Sequence, residues 1–336
     1  MSADPSVQVA DDVMEHLLST YLLRAALQLG VPDAVADEPL PVAEIARRTD
    51  TDPGTLARLL TAMSACGFIQ YAGDGRYQHN PVSRELMSTA KGCLLNDVVT
   101  DEKLWEAWGN LADGVRTGKS PFATTHGVDF YAYLATRPER LSEFHDGLGA
   151  VLEETPELLK HLDLRGVSRI VDVGGGRGYL LRDILVAHPG VRGVLFDLPE
   201  TLEAAVPELR SGPLADRCEI VAGDARIAMP TGADAYLLSF VLHNWDDDTC
   251  VRILSQCAEA GRPGARVIAL DMLLDSDEHS SSWQALNDLD MFVRFGGGER
   301  HESQFADLFE QAGLAYTGSA PIASALCHVI EAEIRR

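Results

Sequence analysis

The chain has no apolar run near the roughly 18 residues needed to cross a bilayer. Its acidic N-terminus lacks the basic stretch and apolar run of a secretory signal, so a cytoplasmic protein without a membrane partner is expected. Cysteine is sparse: Cys66, Cys93, Cys218, Cys250, Cys257 and Cys327 are scattered, with no C-x-x-C pair. That spacing gives no zinc ligand set, so no metal is expected and the thiols read as reduced. Positive charge is short as well, 28 Lys and Arg against 51 Asp and Glu, for a net −23. Such a balance opposes a nucleic-acid partner, because phosphates are gripped by Lys and Arg. What remains is ordinary for a globular protein: 46% hydrophobic and 24% charged over 336 residues, enough for two domains with separate cores.

One stretch organises the sequence. Ile170, Val171 and Val173 read as a short buried strand, followed at once by Gly174, Gly175, Gly176 and Gly178, and then by helical spacing from Tyr179 to Leu185. Strand, glycine turn and helix make the first half of a βαβ unit, whose turn lets a ligand approach the backbone. The dinucleotide pattern G-x-G-x-x-G fails, because Tyr179 stands where the last glycine belongs. A phosphate loop fails too, since no Gly-Lys-Ser/Thr follows. An acid at the strand end, Asp172, and a second closing the next strand, Asp197, suit a nucleoside ribose without a pyrophosphate.

Before this stretch the chain reads as helical. Residues 1–10 are expected to be disordered. From Asp11, the positions Val13, Leu17, Leu18, Tyr21, Leu22, Ala25 and Leu29 recur with helical period until Gly30 and Pro32 end the helix. That face packs either on a partner subunit or within its own domain. Residues 42–80 then read as helix, turn, helix capped by Asp52, and a hairpin through Gly73-Asp74-Gly75: a winged helix. Its acids and bases balance and Arg58 is the sole base of the second helix, which favours a scaffold for dimerisation over DNA reading. From Leu94 to Leu164 more helices are expected, rich in aromatics such as Trp105, Trp108, Phe130, Tyr131 and Phe144. Most would pack between domains, and some would line a pocket for a flat substrate.

From Gly166 strands and helices alternate, the pattern of a largely parallel sheet. Strands are expected at 169–173, 192–197, 218–222, 234–240 and 265–271, with two more segments at 314–319 and 325–333 after a helix at 302–312. Ligands of such sheets bind beyond the carboxyl ends of the strands. The polar residues there are Asp172, Asp197, Gly223-Asp224, His243 and Asp271, with Glu299 after a later glycine run. An acid at Asp224 suits an exocyclic amine, and it also suits a turn. His243 suits a general base near neutral pH. Asp271 or Glu299 would orient it, unless the first is a cap and the second a surface partner of Arg300.

Taken together, Asp172-Val173-Gly174-Gly175-Gly176-Arg177-Gly178, Asp197-Leu198-Pro199, Gly223-Asp224, Leu242-His243-x-Trp245-x-Asp247 and Gly297-x-Glu299-Arg300 resemble the S-adenosylmethionine-dependent O-methyltransferases of the caffeic-acid and bacterial natural-product type. The resemblance covers nearly the whole chain. It implies an α/β fold: a C-terminal Rossmann-like class I methyltransferase sheet (166–336), an N-terminal winged-helix dimerisation domain (11–95) and a helical linker (96–165). It implies a homodimer with S-adenosylmethionine as cofactor. Gly174 and Gly176 would cradle the methionine part, with Asp172 and Leu198 beside it. Asp197 would hold the ribose, Gly223, Asp224 and Ala225 would face the adenine, and Ser239 would lie near the cofactor. His243 would be the base, flanked by Asp271 and Glu299. Trp105, Phe144, Asn244, Trp245, Asn287 and Met291 are the candidates for the substrate pocket. Plant members carry Glu in place of Asp271 and often Asp in place of Asn244. After Gly-Asp an apolar Met or Phe is common, where Ala225 and Arg226 stand here. The expected reaction is methylation of a phenolic hydroxyl of a small aromatic or polyketide. The alternative is a relative that binds the same cofactor but hydroxylates, decarboxylates or cyclises.

Overall fold

The computed structural model describes residues 5–90, 99–141, 144, 155–274, 281–322 and 327–335. Cys93 and the parts of the expected helical linker at 96–98, 142–143 and 145–154 lie outside the described residues, as do positions 325–326 of the expected last strand. The chain forms two compact units, Met1–Trp105 and Glu106–Arg336, so the described part of the helical linker from Glu106 onward belongs with the sheet. No helix among the described residues is long and apolar enough to cross a membrane.

In the first unit, helix α1 (Pro5–Gln28) begins before Asp11, so residues 5–10 are helical rather than disordered. Proline is compatible with a first helical turn, where its missing N–H has no partner to lose. Gly30, at φ 67°, ends the run. Strand β1 (Leu40–Pro41), helix α2 (Val42–Thr49), helix α3 (Pro53–Ala65) and strands β2 (Gln70–Gly73) and β3 (Arg76–Gln78) complete the winged helix. Asp52 caps α3 by accepting from the Thr55 N–H at 2.8 Å. Ala26, Ile45, Leu56, Leu60, Met63 and Tyr77 form this unit's core. Three of its bases pair with neighbouring acids: Arg47 and Arg48 both with Glu44 at 2.8 Å, and Arg84 with Asp37 at 2.7 Å. On α1, Val13, Met14, Leu17, Leu18 and Tyr21 are each more than half exposed. An apolar stripe of that size needs a partner surface.

The second unit is built on a seven-stranded sheet. Its strands in chain order are β4 (Arg169–Val173), β5 (Arg192–Asp197), β6 (Cys218–Ala222), β7 (Ala235–Ser239), β8 (Arg266–Asp271), β9 (Leu314–Pro321) and β10 (His328–Ile334). Their spatial order is β6-β5-β4-β7-β8-β10-β9. The first five run parallel, and β10 pairs antiparallel with both β8 and β9. Side chains alternate between two buried faces. Val171, Val173, Val194, Phe196, Tyr236, Leu238, Val267 and Ala269 pack with α7 (Asp247–Ala260) and α9 (Glu302–Gln311). Ile170, Leu195, Ala235, Leu237, Ile268 and Leu270 pack with α6 (Tyr179–Ala187). Burial on both faces is what a parallel sheet with helical crossovers requires. The chain winds outward from β4 through β5 to β6, then returns to β7 on the other side of β4. This reversal opens a crevice beyond the strand ends, where such sheets bind ligands. Helices α4 (Pro121–His126), α5 (Phe130–Ala135) and α8 (Ser282–Phe295) belong to the same unit.

Candidate active site

The crevice begins where β4 runs out. Gly174 and Gly176 take φ of 65° and 59°, and a Cβ on Gly174 would lie 2.9 Å from Val241 Cγ2. Only glycine fits that turn without strain. The Gly176 N–H donates to Asp197 Oδ2 at 2.8 Å, and the Leu198 N–H to Asp197 Oδ1 at 2.6 Å, so the ribose candidate is fixed by the loop it serves. Burial raises the pKa of Asp197 despite these bonds. Asp172 lies on the α6 face of β4, buried, and among the described residues neither of its oxygens has a hydrogen-bond partner. Burial, with the neighbouring charge of Asp197, pushes its carboxyl up to about 7. These residues line a cavity of about 420 Å³ with Gly223, Asp224, Ala225 and Ser239. Ser239 Oγ is buried and unpaired there.

The second cluster follows β7. Phe240 turns the chain with φ 54°, a conformation that costs a bulky residue about 1–3 kcal/mol. It is held by its own N–H on Leu270 O at 2.8 Å and by Asn244 Nδ2 donating to Phe240 O at 3.1 Å. The short helix Leu242–Asn244 then presents His243. Arg300 locks this loop. Its buried guanidinium donates to Leu242 O at 3.0 Å, to Trp245 O at 2.7 Å and to Asp247 Oδ1 at 2.9 Å. Released from Arg300, Glu299 turns inward and accepts from His243 Nδ1 at 3.0 Å and from Asn287 Nδ2 at 2.8 Å. Asp271 Oδ1 stands 3.6 Å from the same Nδ1. With Nδ1 donating to Glu299, a neutral imidazole keeps its lone pair on Nε2. Burial by itself would depress the His243 pKa, but the charges of Asp271 and Glu299 outweigh it and raise it above 6.5. Burial pushes Asp271 up to about 7. One ligand atom from each of His243, Asp271 and Glu299 lies within 4.8 Å of the others, so the protonation of His243 and of Asp271 is coupled.

Residues 108–315 match the O-methyltransferase domain and residues 12–89 the O-methyltransferase dimerisation domain. The chain belongs to the O-methyltransferase family. It is 34% identical to the mitomycin biosynthesis 6-O-methyltransferase of Streptomyces lavendulae, across 98% of this chain and 94% of that one. The solved structure of the mitomycin 7-O-methyltransferase superposes with a TM-score of 0.91 at 33% identity, across 98% of both chains. At 32% identity, over 93% of this chain and 86% of the other, it also resembles the aclacinomycin 10-hydroxylase of Streptomyces purpurascens. The family's cofactor is S-adenosylmethionine. A glycine turn that a Cβ would fill and an unpaired buried carboxylate fit a cationic ligand laid against the backbone.

The residues that the resemblance assigns to the cofactor, Asp172 through Ser239, all line the one cavity. Of the substrate-pocket candidates, Phe144, Asn244 and Trp245 line it too. Trp105 does not belong with them. It sits in the first unit, its ring tilted against Tyr21 at 5.4 Å and under Arg24, with its indole N–H on Val99 O. Asn287 serves Glu299 instead of lining the cavity, and Met291 on the same helix does not line it. Trp108 is a packing residue, donating to Asp290 Oδ1 at 3.0 Å. Sequence reasoning passed over the roles of Tyr131, Arg226 and Arg300. Tyr131 lines the cavity and stacks on Trp245 at 6.0 Å, and burial holds its hydroxyl well above the usual range. The departure from the family's apolar residue was the only signal for Arg226, and nothing local marked Arg300 as more than a neighbour of Glu299.

Proposed function

We propose that the chain methylates a phenolic hydroxyl of a small aromatic or polyketide natural product, with His243 as the general base. The observation that carries this is the His243 geometry: Nδ1 is spent on Glu299, which leaves Nε2 to take a proton. S-adenosylmethionine supplies an activated methyl group on a sulfonium. The residues of the chain must hold an oxygen in line with it and exclude water. A phenol, with a pKa near 10, is a weak nucleophile until its proton leaves. His243 takes that proton, a contribution of about 10²–10⁴ in rate, and Glu299 fixes the tautomer while Asn287 fixes Glu299. Asp172, Gly174, Gly176, Asp197, Leu198, Gly223, Asp224, Ala225 and Ser239 hold the cofactor. The ring wall of Tyr131, Phe144 and Trp245 supports a planar acceptor. The exposed apolar face of α1 and the dimerisation-domain match support a homodimer, expected by light scattering at twice the 36.4 kDa chain mass.

Mass spectrometry of the protein incubated with S-adenosylmethionine and a panel of phenols tests the reading. Gain of one CH₂ on an acceptor, with S-adenosylhomocysteine formed in step, is the expected result. The hydroxylase among the relatives supports a second reading, in which the same site inserts oxygen. An acceptor that gains oxygen and no CH₂ would establish that reading and sink the first.

A further inference from the structure

Arg226 is a cavity residue that the proposed mechanism leaves without a task. It stands two positions after Gly223-Asp224, where the family commonly has apolar side chains. Its Nε donates to both oxygens of Asp224, at 2.9 and 3.1 Å, and its Nη2 donates to Asp224 Oδ2 at 2.7 Å. The backbone N–H of Arg226 adds a bond to Oδ1 at 2.9 Å. The guanidinium carbon lies 4.8 Å from the Trp245 ring centroid, so the plane of the fork is fixed by a cation–π contact as well as by the acid. Asp224, Arg226 and Trp245 all line the cavity. Arg226 Nη1 makes no hydrogen bond among the described residues. A loose surface ion pair would have neither the ring beneath it nor the cavity beside it.

Three N–H groups reach the carboxylate, the backbone N–H, the Nη2–H and a single Nε–H shared between both oxygens, so one of its about four acceptor sites stays open. The pair therefore offers an acceptor and a donor side by side on one rigid plane. Adenine offers the complement, an amine that donates and ring nitrogens that accept. We propose that Asp224 and Arg226 read the adenine together, the carboxylate accepting from the exocyclic amine and the guanidinium donating to a ring nitrogen. An apolar residue at position 226 can touch the base but cannot recognise a nitrogen. Arg226 is thus a specificity-determining residue for the cofactor, and its stack on Trp245 joins that recognition to the aromatic wall of the cavity.

This rests on the reading that the cavity takes S-adenosylmethionine. The test is calorimetric binding of S-adenosylhomocysteine and its 1-deaza, 3-deaza and 7-deaza analogues to the full chain. One deaza analogue is expected to bind about tenfold or more weakly than the parent, the loss of one charge-assisted hydrogen bond. Arg226→Met is expected to bind the parent and that analogue alike, and Arg226→Lys to recover part of the discrimination. Wild-type protein that binds all four ligands equally would overturn the proposal whether or not the variants fold. A deaza penalty that survives in Arg226→Met would overturn it too, assigning the donor to another group. If the parent compound itself does not bind, the cofactor reading fails first.

Discussion

Asp172 and Asp271 lie at the carboxyl ends of β4 and β8, at the same edge of one sheet, both almost without solvent contact, and burial pushes both carboxyls up to about 7. They differ in their neighbours. Asp271 has the His243 ring at 3.6 Å, so its cluster holds a cation of its own whenever the imidazole is protonated. The charge that acts on Asp172 is another acid, Asp197, and among the described residues neither of its oxygens is paired. Equal burial thus has two outcomes. A buried acid with an internal cation forms a proton-handling cluster, whereas one without such a cation remains a cost until a positively charged ligand arrives. The first arrangement suits chemistry and the second suits binding.

Removing His243 breaks the comparison most severely. His243→Ala is expected to lose about 10²–10⁴ in methyl transfer and to keep its affinity for S-adenosylhomocysteine, measured by calorimetry. Normal turnover would mean that proximity alone carries the reaction.

Asp172→Asn should do the reverse, weakening S-adenosylmethionine binding by about tenfold or more while stabilising the empty protein above pH 7. Lifting a carboxyl from 3.8 to about 7 corresponds to about 4 kcal/mol at about 1.4 kcal/mol per pH unit. The sign follows from proton counting. Between pH 3.8 and about 7 the folded state holds the proton that the unfolded state has released, so stability falls as pH rises through that window and levels above it. The raised His243 pKa acts in the same direction, adding stability below 6.5 that is lost as pH rises through its folded value. Thermal melts of the empty protein across pH 5–8 should show a shallower fall for the variant and, at pH 8, a Tm a few degrees higher. An unchanged slope would mean that Asp172 is not protonated in the fold.

The smallest effect is expected at Asn287. Its amide donates to the oxygen of Glu299 that holds His243, so Asn287→Ala leaves that oxygen more of its charge for the imidazole. The acid limb of the rate profile, already above 6.5, should move up by a few tenths of a pH unit, with a rate loss of about twofold at pH 7. Cofactor affinity should not change. An unmoved limb would make Asn287 a packing residue only.

Much of this was legible in the sequence. The expected strands at 169–173, 192–197 and 218–222 have the same limits in the fold, and the other two parallel strands differ by a residue or so at their ends. Buried β-branched and apolar runs bounded by glycine and acid leave little freedom in where a central parallel strand stops. The cradle residues were legible for the same reason, since each lies at or just past the carboxyl end of a strand. The contacts of Trp105 with Tyr21, Arg24 and Val99 were not legible, because an aromatic in a helical stretch carries no mark of which surface it packs on. The start of α1 was misplaced because Pro5 reads locally as a breaker, although at a first turn it is not one.

By itself the sequence determined the period of the strands, the glycine turn, the acids at the strand ends and the excess of negative charge. These depend on backbone geometry and on residues within a few positions of one another. Tertiary structure alone decided the partners. Glu299 and not Asp271 bonds His243, across 56 positions of chain. Arg300 leaves its neighbour for Asp247, Asn287 donates to Glu299, and Phe240 accepts a left-handed φ so that the histidine loop can turn. The physical reason is that a side chain's partner is chosen by which elements the sheet order brings together. Local spacing does not record that order.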